Sequence, residues 1–115
     1  MTVQIYHNPR CSKSRETLAL LEDKGVKPEI VEYLKQVPSN DDIKQLASLL
    51  GLNSVREMMR TKESAYKEQN LQQEENESKL IHAMIENPKL IERPIVVNGN
   101  KAAIGRPPEN VLSIL

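Results

Sequence analysis

The sequence has no tryptophan and no phenylalanine, and its only aromatic side chains are Tyr6, Tyr33 and Tyr66. A stacking platform for nucleic-acid bases is therefore not expected, and the core must be built from Leu, Ile, Val and Met. Net charge is missing as well. Sixteen basic residues balance sixteen acidic ones, which removes the broad positive footprint of a nucleic-acid binder and confines any cationic site to a local cluster. No apolar run approaches the ~18 residues of a membrane span, and no charged-then-apolar leader with a cleavage site is present. No membrane association is expected, and the expected address is cytoplasmic. The four glycines are scattered at positions 25, 51, 99 and 105, so there is no glycine-rich phosphate loop. His7, His82 and one cysteine provide no metal-ligand spacing, and no metal is expected.

Cys11 is that single cysteine. It cannot close an internal disulfide, and a free thiol suits a reducing compartment. It stands in His7-Asn8-Pro9-Arg10-Cys11-Ser12-Lys13-Ser14-Arg15, where a strand-like start meets a helical pattern. That junction sets unpaired N–H groups and the positive end of a helix dipole beside the sulfur, and Arg10, Lys13 and Arg15 add positive charge nearby. All of these favour thiolate over thiol. A buried cysteine acting as a small apolar residue is the plainer alternative, but its polar, proline-containing flanks do not resemble core packing.

With 115 residues, 38 % of them hydrophobic, the chain is expected to form a single domain, 1–115, around one modest core. Residues 2–6 alternate as a half-buried strand, a helix is predicted from about Ser14 to Lys24 with Gly25 as its stop, and residues 28–34 read as a second strand. The connection is expected to be a right-handed crossover between parallel strands. Ser39-Asn40-Asp41-Asp42 reads as a helix cap before Ile43, Leu46, Ala47 and Leu50. Shorter helical pieces are expected over 54–59 and 65–68, a solvated loop over 69–77, and a helix over 79–86 with His82 facing solvent. Ile95-Val96-Val97 and Lys101-Ala102-Ala103-Ile104 flank Asn98-Gly99-Asn100, a strong hairpin signal, and a short helix follows Pro107. The expected fold is α/β: a four-stranded mixed sheet flanked by helices, with a helical insertion between an N-terminal βαβ unit and a C-terminal ββα unit.

Three later arginines stand where folds gather functional groups. Arg60 ends a helical piece, Arg93 precedes Pro94 at the hairpin entrance, and Arg106 lies between Gly105 and Pro107 just past the last strand. Each alone could lie over apolar surface. Together with Cys11 they suggest an oxyanion pocket, because planar, permanently charged guanidinium groups bind tetrahedral anions through paired hydrogen bonds. His7 either polarises the thiol or holds the loop. Arg15 follows Cys11 too closely for the Cys-x5-Arg loop of tyrosine phosphatases.

His7-Asn8-Pro9-Arg10-Cys11, Ser14-Arg15, Val55-Arg56-Glu57-Met58-Met59-Arg60, Arg93-Pro94-Ile95-Val96-Val97 and Gly105-Arg106-Pro107-Pro108 closely resemble the glutaredoxin-dependent arsenate reductases, in order and over nearly the whole chain. The resemblance implies a thioredoxin-like fold and a cis Arg93–Pro94 bond. It also implies Cys11 as nucleophile, Arg60, Arg93 and Arg106 as oxyanion ligands, and His7, Ser14, Arg15 and Pro94 in support. Arsenate or a similar oxyanion would be the substrate. No cofactor would be bound, and glutathione and glutaredoxin would act as external reductants, as a chain with no resolving thiol requires. Ser12-Lys13 departs from the Gly-Thr that arsenic-resistance members carry after the cysteine, and those members extend beyond the length seen here. Two other readings use the same features: an Spx-like regulatory module docking on RNA polymerase, although Ser14 stands where its Cys-x-x-Cys switch needs a second thiol, and a glutathione-dependent thiol-transferase.

Overall fold

Alternating burial along Val3–Tyr6 places Ile5 in the core and defines β1. The computed structural model describes residues 3–115, so Thr2 of the expected first strand lies outside the described residues. Two compact units form: the chain up to Gln36 with Arg93–Leu115, and Val37–Glu92.

In the first unit, β1 leads through α1 (Ser12–Asp23) to β2 (Glu29–Val31), and the chain returns as β3 (Ile95–Asn98), β4 (Lys101–Ile104) and a C-terminal 3-10 helix, Pro108–Ile114. The sheet order is β2-β1-β3-β4. β1 and β2 run parallel, whereas β1–β3 and β3–β4 are antiparallel, which is the mixed sheet expected. Ile5 lies opposite Val96, and both pack with Leu21 of α1 and with Val111 and Ile114 of the C-terminal helix. The sheet therefore holds α1 by its apolar face, and with it the residue that precedes α1.

Several details differ from expectation. α1 begins two residues early because Cys11 already accepts the first helical hydrogen bond, from the Arg15 N–H at 3.0 Å. β2 stops at Val31, where the chain turns through bonds from the Lys35 and Gln36 N–H groups to the Glu32 carbonyl, carrying Tyr33 into the interior. The C-terminal helix is of the tighter 3-10 form. Gly99 takes the first hairpin loop position at a φ of 62°, a conformation L side chains disfavour.

The second unit opens with α2 (Asn40–Leu49), whose capping box is complete: the Asp42 N–H donates to Ser39 Oγ at 3.1 Å and the Ser39 N–H to Asp42 Oδ2 at 3.0 Å. α2 packs against α4 (Glu77–Glu86), with α3 (Ser64–Glu68) and 3-10 turns at Val55–Met58, Leu71–Gln73 and Pro88–Leu90 between and after them. The stretch 69–77 is more ordered than a solvated loop, because Leu71 is buried and Arg56 grips its surroundings. That guanidinium donates to the Leu71 carbonyl at 2.7 Å, to the Tyr66 hydroxyl at 2.5 Å and to the Glu74 carbonyl. His82 faces solvent, paired with Glu86 at 2.9 Å.

Gly105, just past β4, is required by close approach. A Cβ there would lie 2.6 Å from Thr17 Oγ1 and 2.8 Å from Pro94 Cγ. Both neighbours belong to elements that carry candidate site residues. Gly105→Ala is expected to lower stability by about 1–3 kcal/mol through overpacking, read as a shift in the urea midpoint at unchanged slope.

Candidate active site

The site grows from the turn between β1 and α1. The Cys11 N–H donates to the Asn8 carbonyl at 3.0 Å, the Arg10 N–H to Asn8 Oδ1 at 3.0 Å, and Arg15 Nη1 to the Pro9 carbonyl at 2.9 Å. Ser14, wholly buried, ties the turn to the helix. Its hydroxyl accepts from the Asn8 N–H at 3.0 Å and meets His7 Nδ1 at 2.6 Å. The hydroxyl has one proton and two lone pairs, so it can accept from Asn8 and still pair with Nδ1, in the direction set by the ring's tautomer. Burial holds the His7 pKa below its ordinary value, with Arg15 adding to the effect and Glu32 opposing it.

Cys11 thus occupies the N-cap of α1 with its sulfur largely buried. Burial by itself would push the thiol pKa up. It is outweighed by the Ser14 N–H, by the Arg93 guanidinium through hydrogen bonding and charge, and by the Lys13 N–H, so the net shift is downward. Arg106 Nη2 stands 3.5 Å from the sulfur, while its Nε donates to the Arg93 carbonyl at 2.8 Å. The Arg93 pKa is raised: burial opposes its charge, but Cys11 and Tyr33 together support it more strongly. Both Arg93–Pro94 and Arg106–Pro107 are cis.

The sequence of the ArsC family matches residues 6–114 of this chain. The chain belongs to the ArsC family. The arsenate reductase of Haemophilus influenzae is 55 % identical over 116 residues, covering all of both chains, and the YfgD protein of Escherichia coli strain K12 is 58 % identical over 114 residues, 98 % of this chain and 96 % of its own. The solved structure of an arsenate reductase from Vibrio cholerae superposes with a TM-score of 0.97 at 58 % identity, over 100 % of this chain and 98 % of that one. The fold of this ArsC-family protein is accordingly the thioredoxin-like α/β arrangement expected.

Of the residues singled out in the sequence, this ArsC-family chain gathers Cys11, Arg93, Arg106, His7, Ser14 and Arg15 in its first unit, with Pro94 beside Gly105. Arg60 belongs to the second unit, where its Nε pairs with Glu63 at 3.2 Å. The local charges expected to act on the sulfur are placed differently. Lys13 turns to Glu16 at 3.4 Å, Arg10 is exposed and Arg15 holds the Pro9 carbonyl, so the cations at the thiol come from the hairpin instead. Tyr33 was not singled out, because a lone tyrosine within an expected strand carries no signal of its own. It is fully buried, and the Cys11 and Arg93 charges both act on it. Next to the loop, a cleft of about 310 Å³ is walled by His7, Asn8, Pro9, Arg10, Glu32, Leu34 and Lys35.

Two measurements test this electrostatic picture. The rate of Cys11 alkylation by iodoacetamide is expected to titrate with a midpoint below that of a free thiol, near 8.5, and Arg93→Ala should move the midpoint upward. A wild-type midpoint at the free-thiol value would refute the activation. For His7 the folded pKa lies below the unfolded value of about 6.5, so the unfolded chain binds the extra proton first. Stability is therefore undiminished above that pH and declines as pH falls from it toward the folded value. Urea midpoints compared at pH 7.5 and 5.5 should show a smaller decline in His7→Gln.

Proposed function

We propose that this protein is an oxidoreductase that reduces arsenate to arsenite, with Cys11 as nucleophile and glutathione and glutaredoxin as external reductants. The carrying observation is the Cys11 sulfur at a helix N-cap, favoured as thiolate and flanked by the Arg93 and Arg106 guanidinium groups. The arsenate reductase names of the Haemophilus influenzae and Vibrio cholerae relatives support the same substrate.

In this reading Arg93 and Arg106 bind the oxyanion and draw off charge as the Cys11 thiolate attacks arsenic. A sulfur–arsenic bond forms and one oxygen leaves as water. Reduction from As(V) to As(III) takes two electrons, and the chain holds no second thiol. Glutathione supplies one thiol by attacking the adduct, and glutaredoxin supplies the other by removing the glutathione as a mixed disulfide. Arsenite leaves and Cys11 returns as thiolate. The sum is arsenate plus two thiols giving arsenite, one disulfide and water. The cleft beside the loop, with Arg10, Lys35 and Glu32 on its wall, matches the two carboxylates and one ammonium of glutathione in charge. The cytoplasm, where thiols stay reduced, is the compartment this chemistry needs.

Purified protein is expected to convert arsenate to arsenite only with both glutathione and glutaredoxin, followed by arsenite analysis. Cys11→Ser should abolish turnover, and Arg93→Ala should reduce it by about 10²–10³-fold while the fold persists. Arsenate left intact while glutathionylated protein is reduced would replace this function with thiol transfer.

A further inference from the structure

Among the described residues, two buried side-chain polar atoms lack a hydrogen-bond partner: the Tyr33 hydroxyl and Arg93 Nε. They belong to neighbouring side chains that act on one another and on Cys11. Asn8 and Arg93 both act on the phenol, yet its hydroxyl makes no hydrogen bond to either. Tyr33 has no solvent exposure, so water in the bulk does not solvate the hydroxyl either. A buried polar group left in this state weakens the fold, and native structures retain such groups mainly where a ligand or catalytic role compensates.

The chemistry of the two atoms narrows the ligand. Arg93 Nε–H can only donate, and Tyr33 is held in its neutral, donating form because burial raises its pKa. The guanidinium charge beside both excludes a cation. What fits is a group rich in acceptor oxygens and negatively charged, located at the Cys11 sulfur.

We propose that the Tyr33 hydroxyl and Arg93 Nε each donate a hydrogen bond to a tetrahedral oxyanion bound at Cys11, which makes Tyr33 a direct anion ligand alongside the arginines. The assignment rests on the oxyanion reading of the site given above. It gives a role to a buried hydroxyl that otherwise has no hydrogen-bond partner.

The reacting thiol is silenced for the binding test. Arsenate, phosphate and sulfate are titrated calorimetrically into Cys11→Ser and into Cys11→Ser/Tyr33→Phe, and both are melted with and without each anion. The second variant is expected to bind oxyanion about tenfold more weakly, and its ligand-free melting temperature should be equal or higher, since an unsatisfied hydroxyl has been removed. In the otherwise unchanged enzyme, Tyr33→Phe should raise the arsenate KM by a similar factor. Equal anion affinity in the two variants overturns the assignment, and so does a lowered ligand-free melting temperature with unchanged affinity, which marks a structural hydroxyl. Tyr33-dependent binding by a protein that does not reduce arsenate leaves the assignment standing and removes the reductase reading alone. Failure of all three anions to bind overturns it.

Discussion

The turn that carries Cys11 is held by one buried serine. Ser14 contributes to the Cys11 sulfur through its backbone N–H and to the loop through its hydroxyl, which bridges the Asn8 N–H and His7 Nδ1. The two roles are mechanically linked. A hydroxyl fixed at 2.6 Å from the ring and 3.0 Å from Asn8 holds the first turn of α1 against the end of β1, and this keeps the free N–H groups of that turn directed at the sulfur. Burial of the ring beside that serine holds the His7 pKa below its ordinary value.

The hairpin supplies the remaining field. Arg93 enters it and Arg106 leaves it, so β3 and β4 deliver both guanidinium groups to the same end of the sheet as Cys11. They are also braced against each other, since Arg106 Nε is bound by the Arg93 carbonyl while its own carbonyl accepts from Asn110 Nδ2 at 3.0 Å. A side chain held at its stem loses little further freedom on binding an anion, which is how fixed cations act more strongly than mobile ones. Gly105 is part of this precision. Thr17 of α1 and Pro94 of the hairpin converge on it so closely that no side chain fits between them.

Much of this was legible in the sequence because its signals are local. The Asn98-Gly99 hairpin, the Ser39 cap with Asp42 three residues on, and the stripe of Leu80, Ile81 and Met84 all depend on neighbours in the chain, and each element forms where expected. The signals that failed depend on distant partners. Nothing near 69–77 announces that Arg56 will bind its carbonyls, and nothing near Tyr33 announces Arg93, sixty residues away in sequence. Cations close to Cys11 in sequence were the most misleading signal of all. On a helix surface, residues three apart find each other first, and Lys13 duly pairs with Glu16.

That last point bears on how the reactive cysteine tolerates its neighbours. Ser12 is exposed, and the Lys13 ammonium lies in a half-exposed ion pair with Glu16. Only the Lys13 backbone N–H acts on the sulfur, and any residue other than proline supplies that group. The forces that favour the thiolate are thus main-chain dipoles at the helix start and guanidinium charge from the hairpin, neither of which depends on the side chains at 12 and 13. Substitution at those two positions changes what an approaching molecule meets at the rim of the site while leaving the charge state of the nucleophile in place. Reactivity and rim are separately adjustable in this fold, which is why the Ser12-Lys13 pair bears on what docks against Cys11 more than on whether Cys11 can attack.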